Sequence, residues 1–194
     1  MIAEPKPERL FDVMVDVAEA VPVGFRVESV DGEIYVTPPA APEHRSDMEL
    51  LEDRLRAMGV GRVGMMKEFA SGAADDDLRP RVIPDVFVQT REQTDLDVAW
   101  AKAHDNYFPL SMVLLAAEVT SPSTRWLDFG GKLATYAAAG VEVYLVVDRK
   151  DRKIVVHHGP DPAERKYKHV RRYSYGDEVE LPAPFGKLDT SGLV

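Results

Sequence analysis

Three side chains could together carry out metal-dependent hydrolysis: two carboxylates that could hold a divalent metal and one lysine that could assist. Asp85 follows Pro84 in VIPDVFV, and Glu118 lies within the apolar run LLAAEVT, which predicts a buried strand. An ionised carboxylate buried without a partner costs several kcal/mol, so Glu118 must be paired, neutralised or bound to a ligand. Mg²⁺ is typically held by one or two carboxylates together with water and substrate phosphate. Asp85 and Glu118 could therefore form a metal site for phosphodiester hydrolysis.

The third side chain, Lys132, can reach Glu118 if the chain folds back on itself. From Glu118 to Pro122 an extended strand advances about 13 Å, and the helix that follows advances about 12 Å before it reaches Lys132. The two advances cancel if the helix packs antiparallel to the strand. The four-residue spacing then puts Lys132 on one helical face with Asp128 and Tyr136. A lysine in this position would orient the attacking water or stabilise charge growing on a phosphate.

The elements that must position these residues predict an α/β domain. Helical periodicity predicts helices over residues 10–17, 44–58 and 124–139. Alternating or apolar runs predict strands at 60–70, 80–90, 112–120, 141–148, 153–159 and 168–175, and Asp31-Gly32 predicts a hairpin turn. Residues 91–110 are polar and predict a loop or a short helical insertion. The strand, helix and strand from 112 to 148 form a βαβ unit with parallel strands. Because hairpins flank this unit, we expect a central mixed β-sheet rather than a doubly wound one.

Length and composition limit the class of protein. The 194 residues suffice for a single domain, which we predict to span residues 1–194. The absence of cysteine excludes disulfides, thiolate nucleophiles and cysteine-ligated metals. We expect a cytoplasmic protein with no membrane contact, because no secretion signal is visible and no apolar run approaches the ~20 residues of a spanning helix. The net charge of −9 argues against nonspecific coating of nucleic acid, but it does not exclude a nuclease.

Three segments in this order, IPD, AAEVTSPST and DFGGKLATYAAAGVEVYLVVD, resemble the PD-(D/E)XK restriction-endonuclease-like superfamily, and in particular the Uma-two family of bacterial endonucleases. The resemblance covers most of the chain and is most specific from Glu118 to Tyr136. It implies a restriction-endonuclease-like α/β fold, with a central mixed β-sheet flanked by helices. It also implies Mg²⁺ or Mn²⁺ as cofactor and DNA as substrate. Two-fold cutting of duplex DNA would be natural for a homodimer.

The resemblance also implies a set of site residues. They are Asp85, Glu118, Lys132, His44 and Tyr136. Asp85 and Glu118 correspond to the metal ligands, Lys132 to the catalytic lysine, and His44 to a polar residue contributed by the N-terminal helix. In the parent motif the lysine falls two residues after the glutamate, where this sequence has Thr120. The resemblance therefore implies that the lysine has moved to the helix.

Structural explanations of these residues stay open beside the catalytic one. Glu118 and Lys132 could form a structural ion pair, or Lys132 could pair with Asp128 one helical turn away. His44 could be a surface residue at the start of a helix, and Tyr136 could pack the helix onto the sheet.

Other functions stay open as well. The same fold could serve as a nucleic-acid-binding or protein-interaction module in which cleavage is weak or lost, and the displaced lysine favours this alternative. Hydrolysis of a small phosphoester is a third possibility. The basic stretch ERKYKHVRRYSY could follow a phosphate backbone, although Lys and Arg are also common on edge strands, where they prevent edge pairing.

Overall fold

The structure, a computed structural model, describes residues 9–72 and 76–194. Residues 1–8 and 73–75, which belong to the domain predicted for 1–194, lie outside the described residues, as does most of the N-terminal segment judged to lack a secretion signal. The helices of the described residues are α1 (Leu10–Ala20), α2 (Pro42–Ala57), α3 (Asp95–Ala103), α4 (Arg125–Asp128) and α5 (Gly131–Ala138). The strands are β1 (Arg26–Val30), β2 (Glu33–Thr37), β3 (Arg62–Met65), β4 (Phe69–Ala70), β5 (Arg81–Val82), β6 (Val86–Gln89), β7 (Phe108–Pro109), β8 (Val113–Val119), β9 (Val143–Asp148), β10 (Lys153–Asp161), β11 (Lys166–Ser174), β12 (Glu178–Leu181) and β13 (Gly186–Asp189).

A six-stranded mixed sheet is the centre of the fold, as predicted. Its strand order is β11-β10-β9-β8-β6-β3, with β8 and β9 parallel and the other neighbours antiparallel. A second sheet has the order β2-β1-β5-β4-β7, and β12 pairs with β13. The βαβ unit is therefore confirmed. Within the described residues, no helix has the length and apolar character needed to cross a bilayer.

Local signals account for several elements. The predicted hairpin is formed by β1 and β2, and its turn residues Asp31 and Gly32 have φ angles of 52° and 78°. Positive φ at both central positions is what a type I′ turn requires. Segment 91–110, predicted to be a loop or a short helical insertion, contains α3. This helix begins with a capping box formed by Thr94 and Asp97.

The predicted strands 60–70 and 80–90 differ from the structure, because each is split between the two sheets. The first supplies β3 to the six-stranded sheet and β4 to the five-stranded sheet, and the second supplies β5 and β6 in the same way. The first strand breaks at Met66, whose φ of 53° is incompatible with an extended chain. The second breaks at Pro84, which has no N–H to donate to a ladder. Asp85 therefore lies where the chain passes from one sheet to the other.

The single helix predicted over 124–139 is also wrong, because α4 and α5 are separate. The helix is interrupted at Gly130, whose φ of −119° and ψ of −98° are not helical. A Cβ on Gly131 would lie 2.7 Å from Cγ1 of Val30 in β1. Gly131 thus allows α5 to pack closely against β1, and the helix is interrupted at the preceding Gly130.

The six-stranded sheet has a hydrophobic layer on each face. Alternate residues of β8 face opposite layers, so that Ala117 and Val119 pack with the buried side of α2, while Ala116 packs with α5. Glu118 alternates with Ala117 and Val119 and therefore points to the α5 side of the sheet.

Candidate functional site

Asp85 and Glu118 stand side by side at one end of the six-stranded sheet. In the pairing of β6 with β8, Val86 lies opposite Ala117, so the same register places Asp85 opposite Glu118. The backbone N–H of Val119 donates a hydrogen bond of 2.8 Å to Oδ2 of Asp85. Both carboxylates are buried. Directly opposed residues of an antiparallel pair share a face, with Cβ atoms about 5 Å apart.

Lys132 of α5 lies next to Glu118, which confirms that the folded-back helix brings the two residues together. Its Nζ is 3.1 Å from Oε1 of Glu118 and 2.9 Å from Oε1 of Glu28. Burial alone would lower the pKa of Lys132, but the two carboxylates and Asp128 raise it above its ordinary value. Lys132 is therefore a buried side chain whose charged form is favoured by its neighbours. Its catalytic role stays a prediction.

Tyr136 also contacts Glu118. Its hydroxyl donates a hydrogen bond of 2.7 Å to Oε1, the oxygen that Lys132 contacts. Burial raises the pKa of Glu118 well above its ordinary value; Lys132 opposes this shift, and the negative charge of Asp85 adds to it. Burial and the nearby Glu118 likewise raise the pKa of Tyr136, which stays a neutral donor. Among the described residues, Oε2 of Glu118 accepts no hydrogen bond.

Asp85 is held by a cation and a histidine. Nη1 of Arg26 is 2.6 Å from Oδ1, and Nε2 of His44 is 3.1 Å from Oδ2. Burial raises the pKa of Asp85, but the His44 hydrogen bond and the Arg26 charge together lower it below its ordinary value. His44 is thus not a surface residue, because it is buried in the first turn of α2 against the predicted metal ligand.

Asp128 belongs to the same buried group, although it does not pair with Lys132 as one structural explanation proposed. Lys132 forms its ion pairs with Glu28 and Glu118. Within the described part of the chain, Oδ2 of Asp128 is buried without a hydrogen-bond partner. Burial raises the pKa of Asp128 to about 7; the charge of Lys132 opposes the rise, and Asp85 contributes to it.

Two residues of this group, Arg26 and Glu28, were missed by the sequence analysis. Both belong to β1, in the five-stranded sheet, and their two-residue spacing puts them on one face of that strand. Oε1 of Glu28 also accepts the backbone N–H of Ile83 at 2.7 Å, which ties β1 to the segment that precedes Asp85. The signal that could have found them is a pair of charged residues in a strand where apolar residues would be expected.

A narrow cleft approaches this group from the surface. It has a volume of about 200 Å³, and Arg26 and His44, which both contact Asp85, form part of its wall. The remaining lining residues are Thr37, Pro38, Pro39, Ala40, Ala41, Ser121, Pro122, Ser123 and Arg149. A single layer of side chains therefore separates Asp85 from the cleft.

Comparison with known proteins identifies the family. A family model described as "Uma2: Putative restriction endonuclease" matches residues 16–191. The chain belongs to the Uma2 family. A solved structure described as "a putative nuclease belonging to DUF820 from Anabaena variabilis" is 15% identical, covers 96% of this chain and 97% of its own, and superposes with a TM-score of 0.64. This Uma2 protein therefore has the predicted restriction-endonuclease-like α/β fold. No curated protein matches the chain.

Proposed function

We propose that this Uma2 protein hydrolyses phosphodiester bonds in DNA at the buried group formed by Asp85, Glu118 and Lys132. The observation that carries the proposal is the contact of 3.1 Å between Lys132 and Glu118, directly beside Asp85. The site thus combines a carboxylate from a loop, a carboxylate from a strand and an ammonium from a helix, in the chain order of the endonuclease motif. Membership of a restriction-endonuclease family supports the same reaction.

The donor atoms of the group fit a divalent metal, Mg²⁺ or Mn²⁺, which restriction-endonuclease-like families generally use. Within the described residues, Oε2 of Glu118 accepts no hydrogen bond and Oδ1 of Asp85 accepts one, from Arg26, so each keeps a lone pair. Among the described residues, no group of three or more His, Cys, Asp or Glu side chains is arranged to hold a metal. Asp85 and Glu118 would therefore hold it as a pair, with water and substrate phosphate as the other ligands.

The charge balance of the group also fits a dication. Among the described residues, four buried carboxylates surround one buried and one partly buried cation, so ionisation of all four leaves a surplus of two negative charges. The carboxylates are Glu28, Asp85, Glu118 and Asp128, and the cations are Arg26 and Lys132. The raised pKa values of Glu118 and Asp128 reflect this surplus, because burial and neighbouring carboxylates disfavour the ionised form. When bound, a divalent metal supplies a Lewis acid that stabilises charge on the phosphoryl oxygens.

The protein's own groups define the remaining chemistry. The neighbouring carboxylates hold the pKa of Lys132 above its ordinary value, which disfavours a role as proton acceptor. It therefore acts as a fixed positive charge that stabilises the phosphoryl oxygens or orients the attacking water. Tyr136 and His44 are positioning residues, since each holds one carboxylate by a hydrogen bond. Arg26 lies in the cleft wall, where its guanidinium can pair with a substrate phosphate instead of Asp85.

The proposal is tested by incubating supercoiled and single-stranded DNA with the protein and Mg²⁺ or Mn²⁺. Glu118→Gln and Lys132→Met should lower the cleavage rate by roughly 100- to 1000-fold, the loss typical of one preorganised charge-stabilising group. Lys187→Met is the matched control, because Lys187 is exposed and pairs with Glu178 away from the site. Thermal melting of each variant shows whether the fold is retained. Equal cleavage by wild type and Lys132→Met would refute the role of the lysine.

A binding module without cleavage is the second candidate, and the hydrogen bonds that Asp85 already accepts favour it. Three donors already contact this carboxylate, from Arg26, His44 and the N–H of Val119. In that case the wild type would not cut DNA under any metal condition. Salt-dependent DNA binding would then persist without metal and survive Asp85→Ala.

Two further parts of the proposal concern the whole protein. A homodimer with two-fold symmetry would place two sites for the two strands of a duplex, and light scattering of the purified protein tests it. We also propose a cytoplasmic location, which cell fractionation tests.

A further inference from the structure

A cavity beside the loop after β8 has an exposed aromatic ring next to basic groups. It has a volume of about 690 Å³. The lining residues are Thr120, Ser121, Pro122, Arg125, Trp126, Arg149 and Lys150. Three of the seven are basic and none is acidic. The mechanism proposed above uses none of these side chains.

Trp126 presents a fixed ring to this cavity. Trp126 is 61% exposed, although an indole of this size is usually covered. Its Nε1–H donates a hydrogen bond of 2.9 Å to the carbonyl oxygen of Ser123, so the polar atom of the ring is satisfied within its own turn. Tyr35 contacts it edge to face, with ring centroids 5.5 Å apart. The ring is therefore held in one orientation while much of its surface stays open to solvent.

The basic groups differ in how strongly other residues engage them. Arg125 is bound by Asp148 and by the exposed Asp151, which anchors it to the end of β9. Nε of Arg149 is 3.3 Å from Oδ2 of Asp47. Within the described ranges, Lys150 has no carboxylate within ion-pair distance. An anion in the cavity would therefore meet Lys150 first and Arg149 beside it.

The cavity adjoins the cleft that leads to the carboxylates. Ser121, Pro122 and Arg149 line both. Ser121 follows Glu118 by three residues, or about 10 Å of extended chain. This distance corresponds to about three nucleotide steps of a stacked strand at 3.4 Å per step. A strand whose phosphate lies over the carboxylates would extend into the cavity.

We propose that the cavity binds one unpaired nucleotide of the DNA strand being cut, with the base stacked on Trp126 and its phosphate on Lys150 and Arg149. This inference rests on the proposed function for the choice of DNA strand. Base pairs within a duplex hide their faces in the stack, so an aromatic side chain can stack only on an unpaired or terminal base. The protein therefore acts on single-stranded or locally unpaired DNA in preference to an intact duplex.

Binding can be tested without cleavage in a Glu118→Gln variant kept in EDTA. The sequence has two tryptophans, so adding Trp100→Phe leaves Trp126 as the fluorescent reporter. Trp100 lines a different cavity, so Trp100→Phe alone is the control for loss of an indole away from Trp126. We expect an oligothymidylate of about 12 nucleotides to quench Trp126 fluorescence. A duplex of the same length should quench it much less.

The affinities of Trp126→Ala and Lys150→Ala for a labelled oligothymidylate, measured by fluorescence anisotropy, test the stacking contact and the phosphate contact separately. Trp126→Ala should weaken binding by about 5- to 140-fold, the range for one lost base stack, and Trp126→Phe should retain most of the affinity. Lys150→Ala should lower the slope of log affinity against log salt by about 1. Unchanged affinity of Trp126→Ala, or equal quenching by duplex and single strand, would overturn the inference.

The outcomes separate this inference from the proposed function. If Trp126 is required for oligonucleotide binding but the wild type cuts no DNA, the nucleotide site stands and the nuclease proposal fails. If the wild type cuts DNA through Glu118 and Lys132 while Trp126→Ala binds and cuts normally, the nuclease stands and the nucleotide site fails.

Discussion

Replacing Lys132 with methionine, which has a similar length and no charge, should destabilise the protein strongly. Lys132 is buried between Glu28 and Glu118, at 2.9 and 3.1 Å from their Oε1 atoms. Removing one partner of a buried ion pair leaves an uncompensated charge, which typically costs about 3–5 kcal/mol. For a chain of this length, about 2–4 °C per kcal/mol converts this loss to a fall in Tm of about 6–20 °C. Urea and thermal unfolding followed by circular dichroism at pH 8 measure it.

The loss should depend on pH in a defined direction. Burial already raises the pKa of Glu118 above its unfolded value, and removal of the lysine raises it further. The folded protein then binds a proton that the unfolded chain releases, so stability falls as pH rises through the folded pKa. Lys132→Met should therefore be closer to wild type in stability at pH 5 than at pH 8.

A second substitution separates charge from packing. Glu118→Gln removes one of the two carboxylates that Lys132 neutralises, so Lys132→Met combined with Glu118→Gln should be more stable at pH 8 than Lys132→Met alone. The double-mutant cycle gives the coupling between the two side chains. If Lys132→Met matches the wild type in stability at both pH values, the buried lysine does not compensate these carboxylates and the reasoning fails.

Three further substitutions test neighbouring parts of the fold. Burial raises the pKa of Asp128 to about 7, so its ionisation lowers the free energy of unfolding by up to about 1.4 kcal/mol per pH unit between about pH 4 and 7. In urea unfolding, the stability of Asp128→Asn relative to wild type should therefore be higher at pH 7.5 than at pH 5. An equal stability difference at the two pH values would count against this reasoning. Gly131→Ala should cost about 1–3 kcal/mol in the same assay, because its Cβ would meet Val30, and a stabilised variant would show that the helix can move away. Tyr136→Phe removes a hydrogen bond to Glu118 and should cost about 1.5–3 kcal/mol at pH 8, whereas a neutral result would mean that water replaces the hydroxyl.

Much of the candidate site followed from local reasoning. Glu118 interrupts an apolar strand, and the cost of burying a lone carboxylate required a partner for it. The lengths of strand and helix limited where Lys132 could lie, and the structure brings the two within 3.1 Å. The break of the helix at Gly130 could not be read from periodicity, because α4 and α5 together keep the apolar spacing of a single helix.

Local pattern thus specifies most strands and helices of this protein, the mixed sheet and the pairing of Lys132 with Glu118, because propensity, turn chemistry and chain length act over a few residues. Arg26 and Glu28 enter the site from β1, which belongs to a different sheet from β8. Their position depends on how the two sheets pack, with Met66 and Pro84 turning the chain from one sheet to the other. Sheet packing depends on many contacts between segments that are distant in sequence, so it cannot be inferred from any short stretch. The buried charge balance around Asp85 therefore emerges only in the folded protein.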